Sequence, residues 1–210
     1  MRENRKYRHD HPTCYMQCEI AMREQAIEAE LKDGTPIQVF LDYDCDKQCL
    51  EQEFDRLTAR SRHQRFFSPI NKLSDAQLSY LINVDGIDHV LIVAAEAQGD
   101  QRRGIGLARY VRLKDEPNVA EFAITVADAF QNRGLGSILM DALMTHAQVN
   151  SIHVLRGYVL ASNRSMIRLL EGLGGQRKEE DGELCFDLNL AKRAAISSSL
   201  FSVLLVLDQK

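Results

Sequence analysis

The chain has 210 residues, enough for one domain of ordinary size with a little left over. Lys plus Arg number 26 against 30 Asp plus Glu, a net charge of −4, so the strongly basic profile of a general nucleic-acid binder is excluded. The polar first ten residues lack the apolar core of a secretory signal, and five cysteines in such a chain point to reduced thiols in a cytoplasm.

Residues 1–30 read as a polar extension with a helix-like stretch over 15–31. Cys14 and Cys18 share a spacing with Cys45 and Cys49. A four-thiolate zinc site would need all four sulfurs to converge, and knuckles more often have two intervening residues than three. Small hydrophobes one helical turn apart is the simpler reading, and no metal is expected. Lys32-Asp33-Gly34-Thr35 is a turn signal. Residues 36–41 alternate as a first strand. Residues 46–61 carry Leu50, Phe54 and Leu57 at helical spacing, and Ser74 is placed to cap a helix over 74–81.

Strands then dominate. Residues 89–97 and 106–113 are expected to pair across a loop at 98–103, and 118–126 comes after them. A helix over 137–148 has Leu139, Ala142, Leu143 and Ala147 at helical spacing. Residues 152–160 form a strand. The helix over 163–173 carries Met166, Leu169, Leu170 and Leu173 on one face and is ended by Gly172, Gly174 and Gly175. Residues 184–190, with Cys185, alternate as a last strand. The apolar stretch 195–207 is interrupted by Ser197, Ser198, Ser199 and Ser202 and is too short to span a bilayer. It reads as a packed terminal strand or helix, able to serve as an oligomer contact or a weak membrane contact.

Two segments share one glycine spacing: Gln101-Arg102-Arg103-Gly104-Ile105-Gly106 and Gln131-Asn132-Arg133-Gly134-Leu135-Gly136. A strand comes after the first, which is therefore placed in a hairpin turn with glycine supplying positive φ. The second lies between a strand and a helix. There a helix dipole and free backbone N–H groups of Arg133, Gly134, Leu135, Gly136 and Ser137 can meet a phosphate.

Three stretches carry a family resemblance. The run Val126-Ala127-Asp128-Ala129-Phe130-Gln131-Asn132-Arg133-Gly134-Leu135-Gly136 resembles the acetyl-CoA signature of the GNAT acetyltransferase superfamily. Val159-Leu160-Ala161-Ser162-Asn163-Arg164-Ser165-Met166 resembles its later strand-to-helix segment. Ser61-Arg62-His63-Gln64-Arg65-Phe66-Phe67-Ser68, with Leu73-Ser74 and Val84-Asp85, is similar to the acetyltransferase domain of bacterial protein lysine acetyltransferases that modify acyl-CoA synthetases. The resemblance covers roughly residues 30–190.

It implies an α/β (α+β) GNAT fold: a mixed sheet of about six to seven strands, helices on both faces, and a V-shaped splay between the fourth and fifth strands. The domain would be residues 31–190, flanked by the extension 1–30 and the tail 191–210. Acetyl-CoA is the implied co-substrate, with Gln131, Asn132 and the adjoining loop on its pyrophosphate. The backbones of Ile124 and Val126 would pair with its amide-rich arm, and Asn163 would hydrogen-bond near it. Asn163 also fits a helix N-cap.

Acyl transfer to an amine needs a base, a polarised carbonyl and a leaving thiolate. Glu121, in Ala120-Glu121-Phe122-Ala123-Ile124, is the expected base. A glutamate among apolar neighbours is costly, and its pKa could be raised there toward the working pH. The plainer alternative is a strand glutamate facing solvent or paired with Arg109 or Arg112. The Val126 N–H is the expected carbonyl donor. Leu170 stands where many members of the superfamily place a tyrosine acid, seven residues after the asparagine. The expected function is acetyl transfer to a primary amine, with a protein lysine or a small molecule as acceptor. A non-catalytic acyl-CoA sensor or an assembly subunit are the alternatives.

Overall fold

The computed structural model describes residues 26–41, 47–98, 101–180 and 183–192. Short apolar alternations become β1 (Ile27–Glu30), β2 (Pro36–Leu41), β3 (His89–Gln98), β4 (Gln101–Arg112), β5 (Val119–Val126), β6 (Val154–Val159), β7 (Gln176–Glu180) and β8 (Glu183–Asn189). The helices are α1 (Lys47–Arg56), α2 (Ala59–Phe66), α3 (Asp75–Ile82), α4 (Leu135–Val149) and α5 (Arg164–Gly172). One mixed sheet results, in the order β1-β2-β3-β4-β5-β6-β8-β7. β1 to β5 run as an antiparallel meander, and β5 pairs with β6 in parallel. A parallel pair needs a crossover, which α4 supplies.

Cross-strand partners share a face, so the registers sort the sheet into two sides. Tyr110 lies opposite Phe122 and Ala108 opposite Ile124. This side meets α4, where the Tyr110 hydroxyl is 3.1 Å from His146 Nδ1. Leu139 and Leu143 of α4 are fully buried, each contributing about 1.5–3 kcal/mol through removal from water. The other side carries Arg109, Val111, Glu121 and Ala123 and receives α2 and α3. Arg109 Nη2 donates to Leu81 O at 2.6 Å. Leu50, Phe54, Leu73, Leu78 and Leu81 form a second small core among the first three helices. Ser74 caps α3 as expected, within a reciprocal box with Gln77.

Several elements differ from expectation. The helix over 46–61 is two helices, because Thr58 leaves helical geometry to cap α2 and accept from Ser61 N–H. Residues 27–30 of the helix-like stretch are β1, held by the β2 edge with Ile27 opposite Val39; residues 15–25 lie outside the described residues. The segment 101–106 is part of β4 and not a turn. Gln98 already pairs with Gln101, and a register shift sets Ala94 opposite Gly106 and Ala95 opposite Gly104, leaving Ile105 as the extra, bulged residue. Among the described residues, the glycines with positive φ are Gly34, Gly86, Gly134 and Gly174, so neither Gly104 nor Gly106 is there for that reason. β7, with the sequence Gln-Arg-Lys-Glu-Glu, is a charged edge strand that apolar alternation could not reveal. Eight strands therefore stand where six or seven were expected.

Cys185 is buried in β8. Cys14, Cys18, Cys45 and the apolar tail lie outside the described residues, among which no group of three or more metal-ligating side chains occurs. No described helix is long and apolar enough to cross a membrane.

Candidate active site

The site begins where two strands part. β5 and β6 pair only through Val119 with Val154, Ala120 with Leu155 and Glu121 with Arg156. Beyond Glu121 the strands separate, which is the splay expected between the strands at 118–126 and 152–160. The β4–β5 ladder is bracketed by Leu113 N–H to Val119 O and Ala127 N–H to Ile105 O, both 2.9 Å. Odd-numbered residues of β5 therefore bond to β4. Even-numbered Ile124 and Val126 direct their backbone groups across the splay, where an extended amide-bearing ligand can pair with them.

After Val126 comes a 3-10 turn (Asp128–Phe130), then positive φ at Asn132 (62°) and Gly134 (93°), and α4 opens at Leu135. Among the described residues, no N–H from Asn132 to Gly136 donates to a protein acceptor. These donors, with the positive end of the α4 dipole, form an anion cradle. A Cβ at Gly136 would find only Leu169 Cδ2, 3.5 Å away. The cradle opens on a cleft of about 560 Å³.

Ile124, Val126, Gln131, Asn132, Gly134, Gly136, Ser137 and Asn163 all line that cleft. Two predicted residues do not present side chains to it. Leu135 is buried in the core. Arg133 lies 4.8 Å over the Phe130 ring, and its guanidinium donates to Asp33 at 2.5 Å and to Thr35 at 2.6 Å. The bond from Arg133, joined by those from Thr35, holds the Asp33 carboxyl well below the usual carboxylate range. Arg133 thus ties the loop to the β1–β2 turn, and both residues can serve a ligand only through backbone.

Gln131 also does more than face a ligand. Its Nε2 donates to Val126 O (3.2 Å), Asp128 Oδ1 (3.2 Å) and Ser61 Oγ (3.3 Å). Ser61 Oγ donates to Asp128 Oδ1 at 2.8 Å, and Thr58 N–H to Oδ2 at 3.2 Å. Burial alone would raise the Asp128 pKa, but the bonds from Ser61 and Thr58 bring it below its ordinary value. This network clamps α2 to the loop.

The cleft also has cations that sequence reading missed: Lys32, Arg60, Arg65 and Arg168. Only Arg168 carried a signal. Ser165, Arg168, Leu169 and Gly172 recur at 3- and 4-residue intervals along one stripe of α5, and all four line the cleft. Asn163 caps α5, accepting from Met166 N–H at 3.2 Å.

On the α2–α3 side lies a second cavity, of about 220 Å³, walled by Phe66, Tyr80, Leu81, Arg109, Phe122 and Glu121. A narrower space of about 60 Å³, lined by Glu121, Ile124, Tyr158, Asn163 and Met166, lies between it and the cleft. Arg65 lines all three. Burial pushes its guanidinium below its ordinary pKa, while Glu121 and Tyr80 push it back.

Glu121 is exposed and not enclosed by apolar neighbours, contrary to the burial expected of it. The helices on this face stop beside β5. Over β6–β8 the same face carries an ion network in which Arg156 bridges Glu116 and Asp187, and Lys178 also meets Asp187. Solvent therefore reaches Glu121. Arg109 donates to Leu81 O, and Arg112 to Asp88, Asn150 O and Pro117 O. Leu170 is fully buried.

Residues 53–174 match the model of the acetyltransferase (GNAT) family. The chain belongs to that family. An acetyltransferase of Pseudomonas aeruginosa is 31% identical over 153 residues, 72% of this chain and 82% of that one. The acetyltransferase Pat of Mycolicibacterium smegmatis is 37% identical over 117 residues, 56% of this chain but only 34% of its own length. The GNAT domain of S. lividans PAT superposes with a TM-score of 0.71 at 26% identity, covering 80% of this chain and 98% of that domain. A Salmonella typhimurium acetyltransferase solved with acetyl-CoA shares the fold, with a TM-score of 0.59 at 19% identity, over 77% of this chain and 98% of that one. This GNAT protein is an acetyl-CoA-dependent acyltransferase. The anion cradle and the splay fit coenzyme A, which carries a pyrophosphate and an arm of amides.

Proposed function

We propose that this GNAT enzyme transfers the acetyl group to a primary amine, foremost a protein lysine, by direct attack in a ternary complex. The observation that carries this reading is the position of Glu121 between an amine-sized cavity and the cofactor cleft. The walls of Phe66, Tyr80 and Leu81 suit the aliphatic stem of a lysine, and the Glu121 carboxylate suits its ammonium.

In this reading the N–H groups of 133–136 hold the pyrophosphate; Ser137 N–H, expected among them, donates to Gly134 O at 3.0 Å instead, because it closes the first turn of α4. Ile124 and Val126 pair with the arm through their backbones, and Asn163 bonds beside it. The thioester then sits in the narrow space next to Glu121. Glu121, directly or through a water, takes a proton from the ammonium and frees the lone pair. The Val126 N–H, directed across the splay, is the donor for the thioester oxygen. The resemblance of residues 61–68 to bacterial protein lysine acetyltransferases supports a protein acceptor. A small-molecule acceptor is favoured by one feature: Arg65 and Arg109 both line the amine cavity, as a carboxylate-bearing amine would require.

The test measures thiol release from acetyl-CoA with lysine proteins, amino acids and polyamines, for the wild type and Glu121→Gln. The expected outcome is turnover on an amine and a loss of about 100-fold or more in kcat for Glu121→Gln, with the KM for acetyl-CoA about unchanged. Unchanged turnover removes Glu121 as the base. Tight acetyl-CoA binding with no turnover on any amine marks a sensor.

A further inference from the structure

The proton donor for the departing thiolate is absent from position 170, where Leu170 is sealed in the core. The narrow space between the amine cavity and the cofactor cleft has five polar side chains: Gln64, Arg65, Glu121, Tyr158 and Asn163. Amide side chains do not give up protons, and a guanidinium stays charged at any working pH. Glu121 is used as the base. Tyr158 has the one remaining acidic proton.

Its place in the sheet fits the task. Arg156 lies opposite Glu121 and shares its face, so Tyr158, two residues on, shares it too. At Tyr158, β6 has left β5, and the phenol can line the splay. The strand is held in place there by β8, through Gly157 with Phe186, Tyr158 with Cys185 and Val159 with Leu184. A Cβ at position 157 would strike the Phe122 ring at 2.5 Å, so that ring packs against the β6 backbone where the strands begin to part.

We propose that Tyr158 is the general acid of the reaction, donating its phenolic proton to the coenzyme A sulfur as the C–S bond breaks. The proposal rests on the amine-acceptor reading above. The ammonium first gives one proton to Glu121. The amine nitrogen then forms its bond to the thioester carbon, and the carbonyl electrons move to oxygen. Collapse restores the C=O bond and expels the sulfur, which takes the Tyr158 proton and leaves as the thiol. The phenolate recovers a proton from the still-protonated amide nitrogen, directly or through water. The products are the neutral amide and the thiol, with one proton left on Glu121 for release to solvent.

The experiment compares wild type and Tyr158→Phe across pH with an amine that the wild type acetylates, and measures acetyl-CoA binding by calorimetry. The expected result is a fall in kcat of about 10- to 100-fold, KM and affinity for acetyl-CoA within about twofold, and loss of the alkaline fall in kcat that an essential phenol imposes. A kcat within about twofold of wild type, with the alkaline limb intact, overturns the proposal. If Tyr158→Phe does not fold, the wild type decides alone: a kcat that stays flat to alkaline pH overturns it, and an alkaline fall supports it. Failure of the wild type to acetylate any amine removes the base and the acid together. Wild-type turnover with an unaltered Tyr158→Phe profile removes only Tyr158.

Discussion

The segments 101–106 and 131–136 share a Gln-x-x-Gly-x-Gly spacing and end in opposite roles. In the first, glycine makes room for protein. A Cβ at Gly106 would lie 3.1 Å from both Leu135 Cδ2 and Leu139 Cδ1 and 3.2 Å from Thr125 O. In the second, Gly134 takes a left-handed conformation and a Cβ at Gly136 would meet little. The two are also neighbours in space, since the α4 helix opened by the second rests on the glycine of the first. Glycine spacing marks where backbone must be approached closely. The next element along the chain decides whether a helix or a ligand makes the approach.

Three substitutions can break this contrast. The largest effect is expected at Gly136→Ala. The added methyl finds ordinary contact in the protein, so unfolding by urea should be unchanged or slightly improved, whereas acetyl-CoA affinity by calorimetry should fall about 10- to 100-fold. Unchanged affinity would place the pyrophosphate away from this loop. Next is Gly106→Ala, which should behave in the reverse sense. It crowds Leu135 and Leu139 and should cost about 1–3 kcal/mol in denaturant unfolding, with a smaller change in acetyl-CoA affinity. A neutral result would mean the two leucines simply yield. Gly104→Ala should do least. Its nearest contact is the Glu53 carboxylate at 3.5 Å, and the expected change is about 0.5 kcal/mol or less in stability, with affinity unaltered. A large loss there would show that the bulge between β3 and β4 matters to the site.

The same contrast explains what could be read in advance. Strand, loop and helix around 131–136 were legible because each obeys a local rule: a strand-like run in β5, helical spacing in α4, and a glycine loop between them. Asn163 was legible as a cap for the same reason, and Ser74 as the cap of α3. The break at Thr58 was not, since the helical spacing of Leu50, Phe54 and Leu57 runs through it. Its cap is held by Asp128, 70 residues away.

The sequence by itself determined the loop and helix start proposed to hold the cofactor, because a phosphate cradle is built from neighbouring backbone groups. Only the tertiary structure decided the acceptor half. Lys32 reaches the cleft through a turn bonded to Arg133, and Ser61 meets Asp128 across 67 residues. Glu121 lies in solvent because the helical cover ends beside β5, and Tyr158 comes to face it because two strands separate. Side chains brought together from α2, α3, β5 and β6 obey no spacing along the chain. Their meeting is set by sheet register and helix packing, which act between residues far apart in sequence.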